Sequence, residues 1–180
     1  MCFEVHVEII SAMKRIFVLL LMFANCKAQS EDESCPTGYV GFDPSGNCFK
    51  VGGDYVMWIE AKGICENEGG NLAVITSAEE QAFIVDLLKS PHVPEGNYGF
   101  YIGLSRPANG AWAWVTEEPY EFKDWYGPNP DFRMDKDACV QIGVVDKQWR
   151  DTTCSLTRRY ICEFPRIHTC RCGAKKGQRR

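Results

Sequence analysis

The chain has 180 residues, 45% of them apolar and 24% charged, with a formal charge of −4 and ten cysteines. A chain this long can bury a core of its own, so the cysteines do not compensate for a missing one, and the acidic balance argues against nucleic acid, whose phosphates need a positive surface. No Cys-x-x-Cys zinc knuckle occurs, the tightest pair being Cys170-Arg171-Cys172, so disulfides formed in an oxidising compartment are the simpler reading.

From Met13 the chain runs through Lys14 and Arg15, an apolar stretch Ile16 to Ala24, then Asn25-Cys26-Lys27-Ala28 and the polar Gln29 to Glu33. This is the order of a secretory signal peptide, and the apolar run is too short to span a bilayer. Residues 1–28 are therefore expected to be an upstream extension plus signal peptide, and 29–34 a short acidic leader. No other segment approaches transmembrane length, so the expected product is extracellular with no membrane span. Cleavage after Ala28 discards Cys2 and Cys26 and leaves cysteines at 35, 48, 65, 139, 154, 162, 170 and 172. Charge divides unevenly: +1 on residues 1–28, −11 on 29–164 and +6 on the tail 165–180. The tail reads as a solvated end.

Tyr39 to Phe42 and Asn47 to Val51 flank the turn sequence Asp43-Pro44-Ser45-Gly46, which predicts a hairpin. Trp58, Ala61 and Cys65 recur at helical spacing, with Asp54 as the candidate N-cap and Gly69-Gly70 as the stop. A second helix starts at the capping box Ser77-Ala78-Glu79-Glu80 and carries Phe83, Ile84, Leu87 and Leu88 up to Pro91. Short β-like runs follow at Phe100 to Leu104, Trp112 to Val115, Cys139 to Val144 and Arg159 to Glu163. The fold class is α+β, with a loop-rich second half. The stretch Glu117 to Asp137 is long for an irregular connection in a compact domain, which marks it as functional or pinned.

In order and in spacing, Cys35-Pro36-Thr37-Gly38-Tyr39, Cys48-Phe49-Lys50, Trp58 with Ala61 and Cys65, Tyr101-Ile102-Gly103-Leu104 and Trp112-Ala113-Trp114 resemble a C-type lectin-like domain. The match continues through Asn129-Pro130-Asp131, Cys139-Val140, Trp149-Arg150-Asp151 with Cys154, and Tyr160-Ile161-Cys162-Glu163. It covers residues 35–164. The resemblance implies a long-form domain with two helices, small antiparallel sheets and a long loop. It also implies disulfides Cys35 to Cys48, Cys65 to Cys162 and Cys139 to Cys154. It assigns Trp58, Trp112 and Trp114 to the core rather than to a sugar platform, and alternation puts the last two on one sheet face.

Sugar-binding members of that family hold calcium with a Glu-Pro-Asn or Gln-Pro-Asp triplet, an acid two residues before the next cysteine, and Asn-Asp after a Trp. Carried over, the candidate metal ligands are Asn129, Asp131, Asp137 and Asp151, and the candidate carbohydrate contacts are these four with Arg150. Calcium accepts six to eight oxygens, so a sugar diol can complete its shell. Pro130 is expected in the cis form. Asn129 and Asp137 are each one methylene shorter than the usual residue, and Arg150 stands where an Asn ligand is usual. A guanidinium has no acceptor and keeps its charge, so Arg150 must swing away from the ion or sit among the carboxylates in its place. The amide-Pro-carboxylate order matches the Gln-Pro-Asp type, which the family associates with galactose-like sugars, so the resemblance implies a galactose-type ligand. Ala138 stands where auxiliary calcium sites need an acid.

Catalysis is not expected: His92 and His168, the two histidines after the leader, lie in no nucleophile or metal motif. The expected function is secreted, calcium-dependent recognition of glycans on microbial or cell surfaces. The alternative is a calcium-independent member of the family that uses the same loop on a protein, mineral or ice partner. Cys170 and Cys172 fall outside the three pairs. Bonding each other, lying free and linking chains into a homo-oligomer are all open, and the last would raise the effective concentration of a weak sugar site.

Overall fold

The computed structural model describes residues 35–91, 93, 98–108, 110–131 and 138–165. The leader, the acidic 29–34 stretch, His92, Asp137, and the tail beyond Pro165 with His168, Cys170 and Cys172 lie outside them.

The N-terminal hairpin forms as the turn sequence predicts: β1 (Val40–Phe42) pairs antiparallel with β2 (Asn47–Val51), and Gly46 N–H donates to Phe42 O at 3.0 Å. Helix α1 (Trp58–Asn67) buries Trp58, Ala61 and Cys65, the predicted stripe. Its N-cap is Met57 rather than Asp54, and the Met57 N–H donates to the Glu60 carboxylate at 2.8 Å. The start is displaced because Val56 is held extended, exchanging both backbone hydrogen bonds with Arg158 at 3.0 and 2.9 Å. The helix ends at Gly69, whose φ of +88° suits a residue without Cβ.

Helix α2 (Ala78–Leu88) begins on Ser77, whose hydroxyl accepts the Glu80 N–H at 3.1 Å. The box closes one residue early, because the Glu80 carboxylate takes the N–H of Thr76 (2.9 Å) instead of that of Ser77. Ile84 and Leu88 are buried, and so is Gln81, a polar residue that periodicity does not single out.

The remaining strands are β3 (Asn71–Leu72), β4 (Phe100–Arg106), β5 (Ala113–Trp114), β6 (Ala138–Ile142), β7 (Trp149–Thr153) and β8 (Arg159–Pro165). The strand order is β1-β2-β8-β4-β6-β7, with β3 on β8 and β5 on β4. Neighbours are antiparallel except β4 and β8, which run parallel at Phe100↔Arg159 and Tyr101↔Tyr160. β8 thus joins the hairpin half to the half that carries the long loop. Gly103 lets β4 pass β3 closely: a Cβ there would lie 2.8 Å from Leu72 O.

Three disulfides fasten this layout with the implied pairing: Cys35–Cys48, Cys65–Cys162 and Cys139–Cys154. The second ties α1 to β8 and spans 97 residues, a loop whose closure is worth about 4.7 kcal/mol in the chain-entropy picture. One core cluster gathers Phe49, Ile75, Ile84, Ile102, Leu104, Val140, Ile142, Trp149 and Ile161, and a second gathers Trp58, Cys65, Leu72, Tyr101, Tyr160 and Cys162. Trp58 and Trp114 are buried as expected, and Trp58 Nε1 donates to Ile102 O at 2.9 Å. Trp112 is half-buried beside Trp125. No helix among the described residues is long and apolar enough to cross a membrane.

Candidate functional site

The described part of the loop after β5, residues 115–131, has almost no regular structure, yet it is rooted in the core by aromatic rings. Trp114, Phe122 and Trp125 each meet the Trp149 indole edge-on at centroid distances of 5.6 to 5.8 Å, and Trp112 packs on Trp125 at 5.2 Å. Trp149 is fully buried. Its indole N–H donates to Gln81 Oε1 at 2.9 Å, which ties the site's central ring to α2. The loop also hydrogen-bonds to β7: Trp149 N–H donates to Asp124 O at 2.8 Å, and Tyr126 N–H donates to Trp149 O at 2.9 Å. Two extra backbone bonds therefore extend the sheet and place the segment after Tyr126 beside Arg150 and Asp151.

That segment turns at Gly127 (φ +52°) and reaches the triplet, whose Asn129–Pro130 bond is cis as the resemblance implies. Asn129 is fastened to its own turn, both its N–H and its side-chain Nδ2 donating to Tyr126 O at 3.0 and 2.6 Å. The Asp131 N–H donates to Asp151 Oδ1 at 3.4 Å. The Asp131 backbone and the Asp151 carboxylate, 20 residues apart in sequence, thus meet at one rim, with Asn129 two positions before Asp131. Asp137 lies outside the described residues, one position before β6. The Cys139–Cys154 bridge clamps β6 to the end of β7, and Val140 pairs with Asp151 in register.

Arg150 takes the first of the two arrangements open to it. Consecutive strand residues project to opposite sides, and its guanidinium pairs with Asp146 in the β6–β7 turn and lies 3.9 Å from the centroid of the Tyr126 ring. Partial burial pushes the Asp146 carboxyl up, but the Arg150 hydrogen bond and the Gln148 N–H outweigh it and hold it below the ordinary carboxylate range. The same contact raises the Arg150 pKa. Asp146, Tyr126 and Gln81 were not among the residues predicted from sequence. Asp146 lies four positions from Arg150 across a turn, a relation no strand periodicity signals.

The donor set is chemically fit for a hard cation. Asn129, Asp131 and Asp151 each carry a hard oxygen donor, and the cation next to Asp151 in sequence is bound to a different carboxylate. Among the described residues, no group of three His, Cys, Asp or Glu side chains is assembled into a closed metal cluster. The arrangement is an open acidic rim on a packed aromatic footing.

The sequence profile of the Lectin C-type domain matches residues 55–164. The chain is 33% identical to the type-2 ice-structuring protein of Osmerus mordax over 132 residues, 73% of this chain and 71% of that protein. It is also 33% identical to asialoglycoprotein receptor 2 of Rattus norvegicus over 141 residues. That alignment takes in 74% of this chain and 43% of the receptor, so the chain spans less than half of that relative. Among solved structures it superposes on a calcium-independent type II antifreeze protein with a TM-score of 0.63 and 31% identity, covering 74% of this chain and 96% of that one. With the domain profile matched over most of its length and all three implied disulfides formed, the chain belongs to the C-type lectin domain family.

Proposed function

We propose that the chain is a secreted glycan-binding protein that uses Asn129, Asp131, Asp137 and Asp151 to hold calcium and, with it, a galactose-type terminal sugar on microbial or cell-surface glycans. The observation that carries this reading is the diversion of Arg150 to Asp146 and Tyr126, because a guanidinium seated between Asp131 and Asp151 would have taken the cation's place. Calcium, when bound, supplies a centre with coordination positions to spare for two neighbouring hydroxyls. The protein's own part is orientation. Carboxylates only accept hydrogen bonds and an amide both donates and accepts, so the order of Asn129 and Asp131 about Pro130 selects which hydroxyl donates. Secretion is supported by the signal-like leader and by three disulfides. One relative is by name a receptor for asialoglycoproteins, which favours a glycan ligand.

The test is calorimetric titration of the refolded chain with calcium, followed by chromatography on immobilised galactose with chelator elution. Heat at millimolar calcium or tighter and release by chelator are expected. No heat, together with no sugar retention, would refute the reading. A second reading, calcium-independent binding of a protein, mineral or ice partner, is favoured by Arg150 at an amide ligand position and by the relative named as ice-structuring. Retention on a partner surface in chelator would select it.

A further inference from the structure

We propose that Arg150 is a positioning residue: it braces Tyr126 against the β6–β7 turn, so that the Asn129-Pro130-Asp131 segment keeps its place before any ion arrives. The proposal takes the identity of the ligand segment from the preceding reading, but its first test does not depend on calcium or sugar.

The brace is a chain of direct contacts. Asp146 is its anchor, fixed by the turn itself, where one carboxylate oxygen accepts the Gln148 N–H at 3.1 Å and the other accepts from Arg150 Nη2. Gln148 in turn donates its side-chain amide to Asp124 Oδ1 at 3.1 Å, so the anchor and the loop share a second tie. The Arg150 guanidinium then covers Tyr126, an exposed ring that the fold does not otherwise bury. Tyr126 passes the restraint on through its backbone, because its carbonyl holds both the N–H and the side-chain amide of Asn129. Beneath the ion pair the chain carries Gly143, where a Cβ would stand 2.6 Å from Asp146 Oδ1 and 3.2 Å from Arg150 Nε. Bare backbone is what lets the pair settle there.

Arginine suits this task in a way lysine does not. Its planar fork pairs edge-on with a carboxylate while its face stacks on a ring, whereas an ammonium keeps the pair and loses the stacking. The residue that cannot serve as a ligand therefore holds the residues that can.

The test is amide hydrogen exchange of the full-length chain in chelator, read on peptides covering 124–131, with peptides over α1 as the internal control. The amides of interest are those of Tyr126, Asn129 and Asp131, which donate to Trp149 O, Tyr126 O and Asp151 Oδ1. In Arg150→Met we expect their exchange to accelerate about tenfold, the combined scale of a partly exposed cation–π contact and a surface ion pair. The control should be unchanged, and Arg150→Lys should lie between. Wild-type exchange rates in Arg150→Met would overturn the proposal. Should that variant not refold, Tyr126→Leu leaves the Arg150–Asp146 pair in place and is expected to give the same acceleration, and wild-type rates there would overturn it equally. In a second arm the calcium affinity of Arg150→Met should fall about tenfold. If the wild type takes up no calcium, the lectin reading fails and exchange alone decides the brace. If it does and exchange is unaltered in the variant, the brace fails and the lectin reading stands.

Discussion

Glu163 lies on β8 with both carboxyl oxygens engaged, one accepting from Asn47 Nδ2 on β2 and the other accepting the Val74 N–H at 2.8 Å. Burial is the largest influence on it and pushes its pKa up. The Val74 N–H pulls it back, Glu80 and Glu118 push it further, the Asn47 amide opposes least, and the outcome is about 8 against an ordinary 4.5. The folded chain therefore keeps at pH 7 a proton that the unfolded chain has lost. Because the folded state binds the extra proton, stability falls as pH rises: the contribution is whole below about 4.5 and gone above about 8. At about 1.4 kcal/mol for each tenfold change in proton affinity, a few kcal/mol are lost across that window. Glu163→Gln mimics the protonated carboxyl, with an oxygen for the Val74 N–H and an amide for a reoriented Asn47. Urea unfolding in chelator at pH 5, 6, 7, 8 and 9 should give the variant nearly the wild-type stability at pH 5. At pH 9 the variant should be the more stable of the two. Parallel profiles, or a wild type that gains on the variant as pH rises, would refute the reasoning.

Further consequences concern the footing of the site and the site itself. Gln81→Leu strands the buried Trp149 indole N–H and frees Lys147 O from its 2.8 Å bond to Gln81 Nε2, so denaturant midpoints should report a loss of about 2 to 3 kcal/mol. Replacing Cys139 and Cys154 together by Ser opens a 15-residue loop and should cost about 3 kcal/mol by the same assay. Replacing Cys65 and Cys162 should cost more, about 4.7 kcal/mol, because 97 residues are released. Asp151→Ala should abolish the heat of calcium binding while leaving the melting temperature in chelator within about 2 °C of wild type, since the hydrogen bond that its carboxylate accepts from the Asp131 N–H is long at 3.4 Å.

The parts of the fold that could be read from sequence are those in which local signals and burial agree. The β1–β2 hairpin has a four-residue turn sequence, α1 has a three-residue buried stripe, and α2 has a serine cap; each stands where it was expected. The errors fall where a distant strand decides. Met57 replaces Asp54 as the α1 cap because Arg158, a hundred residues later, holds Val56 extended. β3 is two residues long and exists by pairing with β8, and the Trp-Arg-Asp-Thr-Thr run of β7 has no apolar alternation, since one side of it faces the loop. Gln81 is buried for the sake of Trp149, a partner 68 residues away that helical periodicity cannot see.

At the candidate site the limit is sharper. The family resemblance put forward Asn129, Asp131, Asp137 and Asp151 as candidate ligands, and it posed the Arg150 question without the means to answer it. In an extended strand, residues 146 and 150 would stand about 13 Å apart, so Asp146 had no claim to be the partner of Arg150. The two meet because the chain reverses just before β7 through Lys147, a non-glycine residue at φ +62°. A Gly or Asn there would have advertised the reversal, but a lysine gives no such sign. Once the reversal is made, Asp146 and the Tyr126 ring satisfy the guanidinium on the side of β7 away from Asp151, and the carboxylates of the rim need not do so. An arginine at a ligand position therefore does not by itself decide whether a cation can bind. Here the neighbouring turn offers the guanidinium its own carboxylate, so residue 146 has to be read together with the triplet in any account of this loop.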